Sequence, residues 1–186
     1  MKIKDFNAKK MQCKLKTPYN LSLISIDRLE SVIFTVIDEF GNKGHGEATA
    51  LKFYTDETTE SILNDLEQIK ISGKEINTPE DIFTLIEELF AGKKSSFSRS
   101  AVEVALFDLL AKHQKLDFFD LIGKRQREEI MLVGNMGIHD FNTTIEKARE
   151  FVSDWFKTLK MKAEKNLEDD IQKINHVSKE FPGIKI

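Results

Sequence analysis

Two lysines in one short stretch are the residues of this sequence best suited to moving a proton. In Thr158-Leu159-Lys160-Met161-Lys162-Ala163 they alternate with large apolar residues. A β-strand sends successive side chains to opposite faces, so Lys160 and Lys162 share one face while Leu159 and Met161 share the other. Two ammonium groups on one partly desolvated wall repel each other, which favours the neutral amine that a general base needs near neutral pH. The spacing alone does not decide the matter. Lys2-Ile3-Lys4 and Lys14-Leu15-Lys16 repeat it in a chain with 28 Lys+Arg, and an edge strand with its lysines in water is the competing reading.

Other candidates carry less. His45, His113, His139 and His176 are scattered with no i, i+4 pair, so they read as structural or surface groups, and no metal cluster is expected. Gly44-His45-Gly46 reads as a turn whose glycines serve backbone geometry, since neither a Walker pattern nor GxGxxG is present. Glu47 is a strand-end carboxylate. Asp169-Asp170 fits compensation of a helix dipole, and Ser96, Ser98 and Ser100 lack a nucleophile elbow.

With 40% hydrophobic and 32% charged residues, a chain of 186 residues is expected to bury a core. Its net charge of -3, spread over mixed signs, gives no field to attract nucleic acid or an acidic membrane. The single cysteine, Cys13, has no partner for an internal disulfide, which points to a reducing, cytoplasmic compartment. The start, Met1-Lys2-Ile3-Lys4-Asp5, has no apolar region of the export type, and no run is long enough to span a membrane.

The elements that must position the lysines follow from periodicity. Ile3 to Leu15 reads as a strand in which Met11, Cys13 and Leu15 are half-buried, and Thr17-Pro18-Tyr19-Asn20 breaks it. After a polar loop, Val32 to Ile37 is a second strand, and Asp38 to Gly44 turns the chain back for a third, an antiparallel meander. Helical signals follow. One helix runs from Asp56 to Gly73 with Ile62, Leu66 and Ile69 inward; another has Thr78 as N-cap and Pro79 at its first position and stops at Gly92. A third, Ser98 to Lys112, carries the narrow stripe Ala101, Ala105, Leu109, which predicts close packing, and Phe118 to Ile122 adds a short turn. The charged run from Lys124 to Glu129 marks a boundary, giving domains 1-125 and 126-186.

Beyond it the order is strand, helix, strand, helix, strand. Ile130 to Ile138 reads as a parallel strand buried on both faces. Thr143-Thr144-Ile145-Glu146 reads as a capping box opening a helix that buries Ile145, Ala148, Val152 and Trp155. After the lysine strand, Asn166 caps a helix with Leu167, Ile171, Ile174 and Val177 inward, and Ile184 begins another strand. The expected fold is an α+β capping domain (antiparallel β-meander plus helices) followed by an incomplete (β/α) barrel of about two and a half units. In such a barrel the lysines have an outlet at the C-terminal mouth, where active sites lie.

The ordering Leu15-Lys16-Thr17-Pro18-Tyr19, Gly44-His45-Gly46-Glu47-Ala48, Tyr54-Thr55-Asp56-Glu57-Thr58, Ser100 to Lys112, Leu121-Ile122-Gly123 and Leu159-Lys160-Met161-Lys162 resembles the N-terminal portion of the enolase superfamily. The subgroup is that of muconate lactonizing enzymes, dipeptide epimerases and o-succinylbenzoate synthases. The resemblance implies loops closing over a barrel mouth, and a divalent metal, usually Mg²⁺, stabilising the enediolate formed when a base removes the proton α to a carboxylate. It implies that Lys162 is that base and Lys160 its neighbour that adjusts it. Tyr19, Phe53 and Tyr54 fall in the loops that shape specificity, and Asn135 near the end of the first barrel strand is a further substrate contact. The family's acidic metal ligands lie on later strands, so this chain is expected to hold none and to be inactive alone. A small carboxylate substrate and a homo-oligomer are the expected partners. A non-catalytic fragment or protein-interaction module retaining the capping fold is the alternative.

Overall fold

The computed structural model describes residues 1–20, 25–51, 55–163 and 166–186. Contacts divide the chain into two compact units. One joins Met1–Cys13 to Leu29–Gln126, the other Lys14–Arg28 to Arg127–Ile186. No helix among the described residues is long and apolar enough to cross a membrane.

The first unit is α+β. Strands β1 (Ile3–Asn20), β2 (Ser25–Asp38) and β3 (Lys43–Thr49) form a sheet in that order, with β2 and β3 antiparallel; the ends of β1 and β2 that fall within Lys14–Arg28 belong to the second unit. Val32, Phe34 and Val36 point to one face with no exposure, and β3 sets Ala48, Gly46 and Gly44 opposite them. Helix α3 (Ser96–Gln114) lies on that face. A Cβ on Gly46 would sit 1.9 Å from the Ala101 carbonyl oxygen, and one on Gly44 2.1 Å from that of Ala105. The glycines thus make room for the small-residue stripe of α3. Gly44-His45-Gly46 is strand rather than turn, and His45 is held by Thr35 Oγ1 at 3.1 Å and by Asp108, which accepts from its backbone N–H.

The turn lies between β2 and β3 and is built on Asp38. Its buried carboxylate accepts from Phe40 N–H, Asn42 N–H and Asn42 Nδ2 at 2.9, 2.8 and 2.7 Å and lies 3.0 Å from His113 Nδ1. Burial alone would raise its pKa, but the hydrogen bonds from Asn42, His113 and Phe40 together outweigh it and hold the group below the ordinary range.

Three expectations fail among these strands and helices. Thr17-Pro18 does not end β1, which runs to Asn20. An edge strand leaves one side of its backbone unpaired, and proline needs no donor there. Met11 and Cys13, expected half-buried, are exposed. The helix expected from Asp56 to Gly73 is shorter. Helix α1 (Thr59–Glu67) starts at the Thr58–Ser61 capping box, and Ile69 and Ile71 are buried in the extended link that follows it. There the chain pairs with its own start: Gly73 N–H donates to Ile3 O at 2.8 Å and Ile3 N–H to Lys74 O at 2.9 Å. Helix α2 (Pro79–Phe90) has Thr78 and Asp81 as a reciprocal cap, and α4 (Phe118–Ile122) ends at Gly123.

The second unit has parallel strands alternating with helices. Strands β4 (Val133–Asn135) and β5 (Thr158–Lys160) are parallel, and Thr158 bridges to Lys185 in the same sense, so a third strand begins where Ile184 predicts it. Met136, Ile145, Ala148, Leu159 and Val177 make the core with helices α5 (Phe141–Ser153) and α6 (Leu167–Glu180).

Burial is where the expectations for this unit fail. Ile130, Met131 and Leu132 are 78%, 66% and 69% exposed rather than buried on both faces, because the strand is confined to Val133–Asn135 and these residues precede it outside regular structure. Helix α5 is capped by Asp140, which accepts from Thr143 N–H at 3.1 Å, so Thr143-Thr144 lies inside the helix and does not open it. Trp155, expected in the core, is 80% exposed at φ +67°. It occupies the left-handed position just past the helix: its N–H bonds Val152 O, the Phe156 N–H reaches Phe151 O, and the Phe151 and Phe156 rings meet at 5.1 Å. Closing that cap turns the indole away from the core. In α6, Asn166 Oδ1 accepts from Glu168 N–H as expected, but Leu167, Ile171 and Ile174 are 69%, 47% and 38% exposed, and Asp170, Lys173 and Val177 face inward. The two rows are neighbours on the helix surface, and Val177 belongs to both.

Candidate functional site

The site is built from the carboxyl ends of the two parallel strands. Gly134 and Leu159 form one pair in the register, and Asn135 and Lys160 the next. A Cβ on Gly134 would meet the Phe151 ring at 2.8 Å and Leu159 at 2.9 Å, so that face is turned to α5. Asn135 and Lys160 therefore share the opposite face. Met136 N–H donates to Lys160 O at 3.0 Å and continues the ladder past the strand ends.

Lys160 is the last residue of β5, so Lys162 lies just beyond the strand rather than within it. Lys160 is exposed and Lys162 half-buried. Both line a cavity of about 350 Å³ together with Val133, Leu159, Met161, Asp170 and Ile174. This is a small, largely apolar hollow with two amines and one carboxylate on its wall, and amines so placed can draw in an anionic group and move a nearby proton.

Tyr19 also belongs to this unit. Asn135 Nδ2 donates to its phenolic oxygen at 3.0 Å. Four of the six residues singled out from the sequence thus fall in one unit, with Asn135 joined to Tyr19 directly and to Lys160 through the strand register. Phe53 and Tyr54 lie outside the described residues. The pairing of Tyr19 with Asn135 was not anticipated. The sequence signal that would have suggested an Asn135–Lys160 pair is their equivalent placement at the ends of successive strands of a β/α repeat.

The histidines take structural roles. His113 supports Asp38, His176 lies 3.3 Å from Glu180, and Phe141 meets the His176 ring edge-on. Asp169 accepts from Asn166 Nδ2 at 2.7 Å. Among the described residues no three His, Cys, Asp or Glu side chains converge to hold a metal ion.

A meander with helices followed by parallel β/α units, with lysines at a strand end, defines the class. The N-terminal domain model of the mandelate racemase / muconate lactonizing enzyme family matches residues 5–123, and the chain belongs to that family. Among its relatives, the hydrophobic dipeptide epimerase of Enterococcus faecalis is 30% identical over 182 residues, covering 95% of this chain and 50% of its own length. An o-succinylbenzoate synthase of Listeria innocua is 30% identical over 179 residues, covering 92% of this chain and 46% of its own length. A dipeptide epimerase from Enterococcus faecalis V583, solved with Mg and the dipeptide L-Leu-L-Tyr, matches at 27% identity and a TM-score of 0.87 over 100% of this chain and 52% of its own. The chain spans about half the length of the relatives it matches.

Proposed function

We propose that this chain forms the capping unit and the first β/α units of an enzyme of the dipeptide epimerase or muconate/chloromuconate cycloisomerase type, which abstracts the proton α to a carboxylate. Lys162 is the base, and Lys160 stands beside it on the same cavity wall. Tyr19 and Asn135 contribute to substrate binding, and Phe53 and Tyr54 shape the specificity loop. The substrate is a small carboxylate such as a dipeptide. The cofactor is Mg²⁺, held by groups other than the described residues of this chain. The compartment is the cytoplasm, in keeping with a sequence that carries a single cysteine.

The observation that carries the reading is the placement of Lys160 at the carboxyl end of a parallel strand, in register with Asn135 and on one cavity wall with Lys162. The test is exchange of the α-proton of L-Leu-L-Tyr for deuterium, followed by NMR with Mg²⁺ present, using the chain together with whatever its gene places after Ile186. Exchange is expected, and Lys162→Ala is expected to lower its rate at least ~100-fold without loss of helical signal. Exchange at the unsubstituted rate in that variant removes Lys162 from the chemistry.

A second reading, a non-catalytic interaction module, draws on the exposed apolar side chains Ile130, Met131, Leu132, Leu167 and Ile171. These support self-association through the second unit, because an apolar patch of that kind is more stable when covered. Substituting Leu132 and Leu167 by lysine should then lower the assembly mass seen by light scattering, and a monomer before and after the change removes this reading.

A further inference from the structure

Asn135 and Tyr19 form a hydrogen bond whose direction has a chemical consequence. The Asn135 amide donates through Nδ2, so the phenolic oxygen of Tyr19 is the acceptor at 3.0 Å. A phenol has one proton of its own to give, and this bond leaves it unspent. Asn135 is exposed and Tyr19 half-buried. A neutral hydrogen bond in that setting contributes little to stability, on the order of 1 kcal/mol, so orientation matters more than anchoring. The phenol is held by a residue that shares the face of Lys160, one strand away. On that face an anionic ligand would be drawn toward the amines, and a donor hydroxyl already in place would strengthen its hold without the cost of ordering a mobile side chain.

We propose that Asn135 is a positioning residue that acts through Tyr19: it fixes the phenol so that the hydroxyl donates to an acceptor oxygen of a carboxylate ligand at the Lys160–Lys162 face. This deepens the functional reading and rests on its premise that a small carboxylate binds there. It differs from direct contact of Asn135 with substrate, because it makes the contribution of Asn135 conditional on the Tyr19 hydroxyl.

A double-mutant cycle on ligand binding separates the two. L-Leu-L-Tyr is titrated with Mg²⁺ present into the full chain and its Tyr19→Phe, Asn135→Ala and doubly substituted forms, and the dissociation constant is read by NMR. Each single substitution is expected to weaken binding about 10-fold, and the double substitution no more than either one, with unchanged thermal melts. Additive losses, near 100-fold in the double variant, mean that Asn135 touches the ligand itself and overturn the proposal. So does an Asn135→Ala variant that binds as the unsubstituted chain does, or a chain that binds no dipeptide. Coupled losses of binding in a protein that exchanges no α-proton would leave the positioning role standing and remove the enzymatic reading instead.

Discussion

The two units solve the same packing problem with different success. In the first, the inward residues of β2 and β3 are covered by α3, and Val32, Phe34, Val36, Leu106 and Leu109 have no exposure. In the second, the core is Met136, Ile145, Ala148, Leu159 and Val177, while Ile130, Trp155 and Leu167 stand 78%, 80% and 69% exposed. Both carry apolar residues at the periods of their elements. Periodicity states which side chains are able to be buried, and burial itself depends on a second layer arriving to cover them.

The comparison breaks first at the glycines. Gly46→Val would drive a side chain into the backbone of α3, where the nearest atom lies 1.9 Å from the ideal Cβ, and it should cost at least about 3 kcal/mol or prevent folding of the first unit. Gly134→Ala in the second unit meets the side chains of Phe151 and Leu159 first, at 2.8 and 2.9 Å, and should cost roughly 1–2 kcal/mol. Urea denaturation of both variants checks the contrast, which fails if the two losses are equal.

Acid should act on the first unit through Asp38. Its folded pKa lies below the ordinary 3.8, so the folded state binds the proton less readily than the unfolded chain. The stability it contributes is complete above about pH 5 and is lost as pH falls through 3.8 toward the folded value. Asp38→Asn should cost roughly 2 kcal/mol at pH 7, and less as the pH is lowered below 4. Urea midpoints of both proteins across that range give the answer, and a constant difference would remove Asp38 as the cause.

The smallest effect is a gain. Trp155 holds a left-handed backbone that glycine adopts freely, and its indole makes little contact. Trp155→Gly should raise stability by about 0.5–1 kcal/mol, visible in the melting temperature, whereas a loss would mean that the indole packs more than its exposure implies.

How much of this was legible follows the same division. The meander, the Thr78 cap, the Ala101–Ala105–Leu109 stripe and the lysine strand were all readable, because each rests on interactions within a few residues or on a simple period. Two misreadings are local, the cap at Asp140 and the outward turn of Trp155; the others depend on partners far away in sequence. Pro18 is tolerated because β1 is an edge, and the Gly44-His45-Gly46 strand is defined by α3 some distance along the chain. Leu167, Ile171 and Ile174 form a sound apolar row, yet the row beside it faces the core. At the candidate site the amines were found from their alternation, whereas the bond from Asn135 to Tyr19 joins residues whose separation spans most of the chain and has no local signature.

Native-state amide exchange tests the contrast between the units most directly. The amides of Phe34 and Leu106 should open only with global unfolding, whereas those of Leu159 and Met136, bonded to Lys185 and Lys160 across short strands, should exchange through a partial opening about 2–3 kcal/mol lower in free energy. Equal protection in both units, with the same denaturant dependence, would contradict the account and mean that the second unit is as firmly closed as the first.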